Sequence, residues 1–299
     1  MRCHLCLWKK QQRLTCSMNC PEISIITVTF GRLNVLRRKL ESLTAQTLAP
    51  ERFELVLCVN DDPETLEFME DITLPFALTL LPFSERLDVT RARNACVRKA
   101  QGELLYLSDD DALLYPETLE RHLTLHQAQA KATVVVGGID FEQDGMVEAV
   151  RPARVNYWNL NGVNTSLPKP AFEAAGGFPE WLTGYGLEDV LLGYALKKEG
   201  CTFAALPNVG VRHLGANPMR GLQPDKARSA GRNAVRVVKR YPELAFRLGV
   251  HPLSLGIKRL ALSPLVGRIW KRLDEGSFHY ERAYLEGALE EKRLMRRQH

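Results

Sequence analysis

The chain has 299 residues, 45% of them hydrophobic, and a formal net charge of +5. Its length exceeds one small domain, its apolar content is ample for a large core, and one catalytic domain with appendages fits best. The charge is unevenly placed, since ten Lys or Arg face six Asp or Glu from Lys258 to His299; no basic stripe interleaved with aromatics crosses the body, so nucleic acid is not an expected partner.

At the start of the chain, Cys3, Cys6, Cys16 and Cys20 give Cys-x2-Cys-x9-Cys-x3-Cys. The pairs have zinc-binding chemistry, but nine intervening residues are fewer than ribbon or finger spacings. A metal knuckle, a disordered leader over 1–20 and a true start at Met18 stay open. Cys58, Cys96 and Cys201 fall inside predicted elements as small hydrophobes, and with an odd total of seven a reducing compartment is expected. Lys9, Lys10 and Arg13 interrupt any secretory signal, and no apolar run is long enough to cross a bilayer. The expected location is cytoplasmic, with peripheral contact at the inner face of a membrane left open.

Ile23 to Phe30 is β-branched and ends at Gly31, which predicts a buried strand and a turn, then a helix from about Leu33 to Ala45. Phe53 to Asn60 repeats the pattern and stops at Asp61-Asp62-Pro63, a strand stop and helix start. A third strand is predicted over Phe76 to Leu81, a helix from Thr90 to Ala100, and then the apolar run Leu104 to Leu107 that leads through Ser108 into Asp109-Asp110-Asp111. Strands and helices alternating at this spacing imply a parallel α/β sheet with right-handed crossovers. A helix is predicted from Pro116 to about Ala130 and a strand over Thr133 to Val136, ending at Gly137-Gly138. The stretch from Asp140 to Thr183 reads as a substrate-facing elaboration.

Ligands in such sheets gather at the carboxyl ends of strands, where the three aspartates stand. Carboxylates packed together repel, so a divalent cation is the natural way to keep them ionised; an acidic turn before a helix is the plainer reading. A second acidic site, Gly184-Tyr185-Gly186-Leu187-Glu188-Asp189, opens a helix reaching Glu199, with Trp181 just upstream as a stacking surface. Val209 to His213 places a histidine at the end of a short apolar strand.

In this order, these pieces resemble the family-two, GT-A fold glycosyltransferases, in the inverting branch that includes bacterial polysaccharide polymerases and resembles animal galactosyl- and N-acetylgalactosaminyltransferases. The resemblance covers roughly Ile23 to Gly215. It implies an α/β GT-A fold, a mostly parallel sheet flanked by helices, with a catalytic domain over 21–220 and a helical basic extension over 221–299. Thr27 and Thr29 then lie on the nucleotide-contacting strand, Asp61 and Asp62 stand where an acid meets the uracil ring, and Arg91 and Arg93 reach the donor phosphates. Asp109 and Asp110 contact the donor, while Asp111, His213 and Asp109 hold Mn2+ or Mg2+. Asp189 is the base that activates the acceptor hydroxyl, with Glu188 binding the acceptor or orienting that base. Trp181, Gly186 and Leu187 line the sugar and acceptor pocket, Leu187 standing where relatives often carry Trp.

The implied reaction moves a sugar from a UDP-sugar to a glycan or lipid-linked acceptor, in surface polysaccharide or glycolipid synthesis. The alternatives are a nucleotidyltransferase making nucleotide sugars, although Gly31-Arg32-Leu33 is too sparse for its phosphate loop, and a catalytically silent sugar-binding scaffold. From Gly256 to Leu273 basic and apolar residues mix with no acid, which fits either an anionic membrane surface or a surface helix packed on the catalytic domain; Pro264 breaks the segment. The last predicted helix, Phe278 to Arg296, mixes both charges and reads as solvated.

Overall fold

The computed structural model describes residues 20–215, 217 and 223–297. The expected leader with Cys3, Cys6 and Cys16, and the expected boundary at 220, lie outside the described residues. The chain divides into two units. One takes the described residues as far as Pro179 together with Asp189–Gly215; the other takes Glu180–Glu188 and the described residues beyond Gly215.

The first unit is built on a nine-stranded sheet. Ile23–Thr29 (β1), Phe53–Asn60 (β2), Ala77–Phe83 (β3) and Leu104–Leu107 (β4) pair in parallel in the order β3-β2-β1-β4. β1, β2 and β4 are mainly apolar and buried almost throughout because both faces of the sheet are covered there, whereas the edge strand β3 is only partly buried. Ile23 and Ile25 point to one core with Leu36, Leu40 and Leu43 of helix α1 (Leu33–Thr44); Ile26 points to the other with Ala92 and Cys96 of helix α3 (Val89–Lys99). Each leucine or isoleucine among them contributes about 1.5–3 kcal/mol when fully buried. Helix α2 (Pro63–Asp71) lies between β2 and β3 in the chain.

Past β4 the sheet becomes mixed, where a mostly parallel one was expected. Ala112–Leu114 (β5), helix α4 (Thr118–Ala128), Thr133–Gln143 (β6), Met146–Val150 (β7) and Thr165–Pro168 (β8) follow, then helices α5 (Lys169–Ala174) and α6 (Glu188–Lys198) and the strand Thr202–Leu214 (β9). The order continues β4-β8-β6-β9-β5, with β8 antiparallel to both neighbours and β7 paired to β6. The expected stop at Gly137-Gly138 is not one. At Gly137 an added Cβ would lie 2.2 Å from Asn164 Nδ2, so glycine is needed for a close approach and the strand runs on to Gln143. β9, expected over five residues, spans thirteen, with an irregularity opposite Gly137 and Gly138.

A buried polar chain ties α4 to β8. His126 Nε2–H donates to Ser166 Oγ (2.8 Å), whose hydroxyl donates to His122 Nδ1 (2.7 Å), and His122 Nε2–H donates to Asn164 Oδ1 (2.9 Å). Tyr106 OH donates to the same Asn164 oxygen at 2.8 Å. Because its Nδ1 accepts, the His122 ring is neutral in this arrangement. Burial holds His122 down to about 3 and His126 to about 4.

The second unit consists of the segment Glu180–Glu188 with helices α7 (Pro224–Arg240), α8 (Pro252–Ala261), α9 (Pro264–Leu273) and α10 (Glu275–Arg297). Pro264 breaks the basic segment as expected, by occupying the first position of α9, where its missing N–H costs nothing. α10 is not the solvated helix expected of it: Phe278, Tyr284, Leu285 and Ala288 are buried. It packs on α7 through glycines, since a Cβ on Gly231 or Gly287 would lie 2.0 Å from Tyr284 O or Arg228 O. The mixed charges serve this contact as ion pairs, Arg228 to Glu286 at 2.7 Å, Arg232 to Glu290 at 2.6 Å and Arg236 to Glu291 at 2.9 Å.

Candidate active site

Because β4 lies parallel to β1, the turn Ser108-Asp109-Asp110-Asp111 sits at the carboxyl ends of both strands. Thr27 Oγ1 donates to Ser108 O at 2.9 Å and Thr29 Oγ1 to Asp110 Oδ2 at 2.8 Å, and both threonines are buried. Their hydroxyls therefore anchor the acid turn. Asp110, expected to contact the donor, is fully buried beneath the turn. Burial pushes its carboxyl up to about 6, against the pull of the Arg32 guanidinium, while Asp111 reinforces the rise.

Besides Arg93, two cations answer the three carboxylates. Arg32, from the loop after β1, pairs with Asp110 and, at 2.6 Å, with Asp111. Lys39 of α1 is completely buried, with its Nζ donating to Ser108 Oγ and, at 2.6 Å, to Ala112 O. It thus grips both ends of the acid turn. Burial brings this ammonium down to about 7 even though all three aspartates favour its charge. Sequence reading missed both cations in this role. The signal for Lys39 was present, since Leu36, Lys39, Leu40 and Leu43 share the buried face of an amphipathic helix.

β9 runs antiparallel to β5 with His213 opposite Ala112, which carries the imidazole to the acid turn. Asp109, Asp111 and His213 each offer a ligand atom within 4.8 Å of the others, and His213 Nε2 lies 3.4 Å from Asp111 Oδ1. Asp111 Oδ1 and His213 Nδ1 are buried without a hydrogen-bond partner among the described residues. Two carboxylates and an imidazole with orphaned atoms fit a divalent cation such as Mn2+ or Mg2+.

Arg93 joins the two acidic clusters. From α3 its Nη2 donates to Asp109 Oδ1 at 2.5 Å and its Nη1 to Asp189 Oδ1 at 3.3 Å, while Gly162 N–H donates to Asp189 Oδ2 at 2.9 Å. Glycine at 162 leaves room for this, because a Cβ there would lie 2.2 Å from the guanidinium and displace it. Asn94 exchanges two 2.9 Å bonds with the Phe178 backbone, which fixes the Gly176-Gly177-Phe178 turn beside α3. Arg91 does not join Arg93: two residues apart on a helix they point in nearly opposite directions, and Arg91 is exposed.

Asp62 accepts from Thr65 N–H at 3.2 Å, capping α2, and from Gly31 N–H at 2.7 Å. Asp61 is exposed and in the left-handed region at φ 56°, open at the end of β2. Trp181, Gly186, Leu187 and Glu188 belong to the second unit. There Arg240 lies 5.3 Å from the Trp181 ring centre, Gly186 lies against Ala230, and Asn233 Nδ2 donates to Gly186 O at 3.1 Å. Leu187 has φ 77°, and Glu188 Oε2 is buried with no hydrogen-bond partner among the described residues.

Residues 24–179 match the family model for Glycosyl transferase family 2. Validoxylamine A glucosyltransferase of Streptomyces hygroscopicus subsp. limoneus is 32% identical over 226 residues, 60% of this chain and 49% of that protein. O-antigen biosynthesis protein RfbC of Myxococcus xanthus is 29% identical over 213 residues, 60% of this chain and 16% of that protein. The chain spans about half the length of the validoxylamine A glucosyltransferases it matches. Among solved structures, S. aureus TarS 1-349 in complex with UDP is similar with a TM-score of 0.57 at 17% identity, covering 93% of this chain and 92% of that one. The mannosyltransferase PcManGT from Pyrobaculum calidifontis, in complex with GDP-Man and Mn2+, is similar with a TM-score of 0.62 at 16% identity, covering 95% and 92%. At these identities the structural likeness shows the fold, which is GT-A.

Proposed function

The chain belongs to Glycosyl transferase family 2, and from that premise we propose that it moves a sugar from a UDP-sugar to an acceptor hydroxyl with inversion. The observation that carries this is the Arg93 guanidinium, which touches Asp109 of one acidic cluster and Asp189 of the other. The nucleotide diphosphates in the two similar structures support a nucleotide-sugar donor, and the exposed Asp61 suits the uracil ring.

Asp111, His213 and Asp109 would hold Mn2+ or Mg2+, which supplies positive charge to the departing diphosphate. Asp109 also contacts the donor ribose, and Arg93, fixed by its two aspartates, adds charge beside the phosphates. In the chemical step the acceptor oxygen bonds to the anomeric carbon as the bond to UDP breaks, and the hydroxyl proton passes to Asp189. Arg93 and the Gly162 N–H orient that carboxylate before the acceptor arrives. Residues 21–220 form the catalytic domain in this reading and 221–299 the extension. The acceptor is a glycan or lipid-linked sugar of a surface polysaccharide or glycolipid, reached at the inner face of a membrane.

Asp189→Asn tests the assignment with a panel of UDP-sugars and Mn2+. Donor binding, read by calorimetry, stays within about twofold while transfer falls by about 10³ or more. Turnover that survives the substitution removes Asp189 from its role.

A further inference from the structure

In the second unit, α8 and α9 present an apolar face that their own packing leaves unused. On α8 Leu255 is the buried residue, whereas Leu253, Ile257 and Leu260, at i, i+4 and i+7, are 66%, 69% and 69% exposed. α9 repeats the arrangement. Its buried residue is Gly267, where an added Cβ would lie 3.0 Å from Phe278, and Leu265, Ile269 and Leu273, at i, i+4 and i+8, are 80%, 63% and 81% exposed. Single exposed leucines are ordinary on a soluble protein, but stripes of large apolar residues on two successive helices mark a contact surface.

The charge on these helices says what the surface meets. From Pro252 to Leu273 the chain carries Lys258, Arg259, Arg268, Lys271 and Arg272 and no Asp or Glu. Lys258 is held by Glu281 at 2.6 Å. Arg268, Lys271 and Arg272 instead line a shallow hollow with Glu275, and no described carboxylate pairs with Arg268 or Arg272. Arg268 and Arg272 follow Leu265 and Ile269 by three residues, so the cationic row flanks the apolar stripe along one edge. A second copy of the chain would bring like charges together. Each helix has ten residues, roughly 15 Å, and no described helix is long and apolar enough to cross a membrane.

We propose that α8 and α9 form an in-plane docking face for an anionic phospholipid bilayer, with their leucines and isoleucines entering the acyl boundary and Arg268, Lys271 and Arg272 meeting headgroup phosphates. A membrane-borne acceptor rests on the transferase reading above; the docking itself does not.

The full chain is centrifuged with phosphatidylcholine vesicles, with and without phosphatidylglycerol. Binding is about tenfold tighter with phosphatidylglycerol and weakens as salt is raised. Leu265→Ser with Ile269→Ser and Leu273→Ser abolishes binding to both vesicles, and Leu273→Ser alone weakens it, the single variant standing in if the triple fails to fold. Arg268→Gln with Lys271→Gln and Arg272→Gln removes only the preference for phosphatidylglycerol. Circular dichroism and donor hydrolysis stay at the native level in all of them, so loss of docking and failure of the transfer chemistry register separately. Native chain that stays in the supernatant, or binds both vesicles equally, overturns the proposal. So does a serine variant that halves the mass in light scattering while vesicle binding persists, which would make the face a contact between copies.

Discussion

The first unit buries two groups of polar side chains built on opposite rules. His122, His126, Ser166, Asn164 and Tyr106 form a neutral chain with no orphaned atom, closed within the core between α4 and β8. The acid turn with Arg32, Lys39 and His213 is charged, and it holds two buried atoms, Asp111 Oδ1 and His213 Nδ1, that have no hydrogen-bond partner among the described residues. A satisfied neutral network spends its polarity on cohesion. A charged cluster with orphaned atoms keeps bonding capacity for a ligand, and that difference separates the candidate active site from the neutral network more sharply than burial does.

The largest effect should come from removing the cation beneath the acid turn. Lys39→Met keeps most of the volume but leaves Ala112 O and Ser108 Oγ without their donor and removes one of the positive charges near the three carboxylates, and urea unfolding should show a loss of about 3 kcal/mol. Mn2+ should then raise the melting temperature of the variant more than that of the native chain, because it replaces the missing charge. Equal stability of variant and native would mean the turn does not need its lysine, and the comparison would fail on its charged side.

The neutral side can be broken with acid. Both histidines have folded values below their ordinary 6.5, so in the interval beneath 6.5 the unfolded chain binds protons that the folded chain refuses. Stability is fully present above about pH 6.5 and is lost as the pH falls toward the folded values, by up to ~1.4 kcal/mol per pH unit for each histidine. Urea midpoints measured down to about pH 5 should fall accordingly, and His126→Gln should flatten roughly half of the slope. A midpoint independent of pH would show that the rings are not buried neutral.

The smallest effect sharpens the comparison at its edge. Arg32 is half exposed and shares Asp111 with the candidate cation site. Arg32→Gln should change stability by no more than about 1 kcal/mol and tighten Mn2+ binding up to about fivefold, read by titration calorimetry. Weaker Mn2+ binding would recast Arg32 as a supporter of the site rather than a competitor for it.

Legibility in the sequence followed burial. β1, β2 and β4 could be read within a residue of their ends because strands covered on both faces are continuous apolar runs, a local pattern. β8 could not: Thr165-Ser166-Leu167-Pro168 carries no such signal, and it is a strand because β4 and β6 lie on either side of it. Thr27 and Thr29 were visible as strand residues, but the direction of their hydroxyls depended on a turn about eighty residues away. α10 reads as a solvated helix from its sequence because its glycines and mixed charges have meaning only against α7.

By itself the sequence determined the alternation of strands and helices, the two acidic clusters and the basic apolar tail, since each is written in the spacing of neighbouring residues. Only the tertiary structure decided which aspartate is buried, that Arg93 rather than Arg91 reaches both clusters, and that a lysine stands beneath the carboxylates. These depend on which side chains meet across the sheet, and electrostatic and hydrogen-bonding energies are set by distances in space that separation along the chain does not encode.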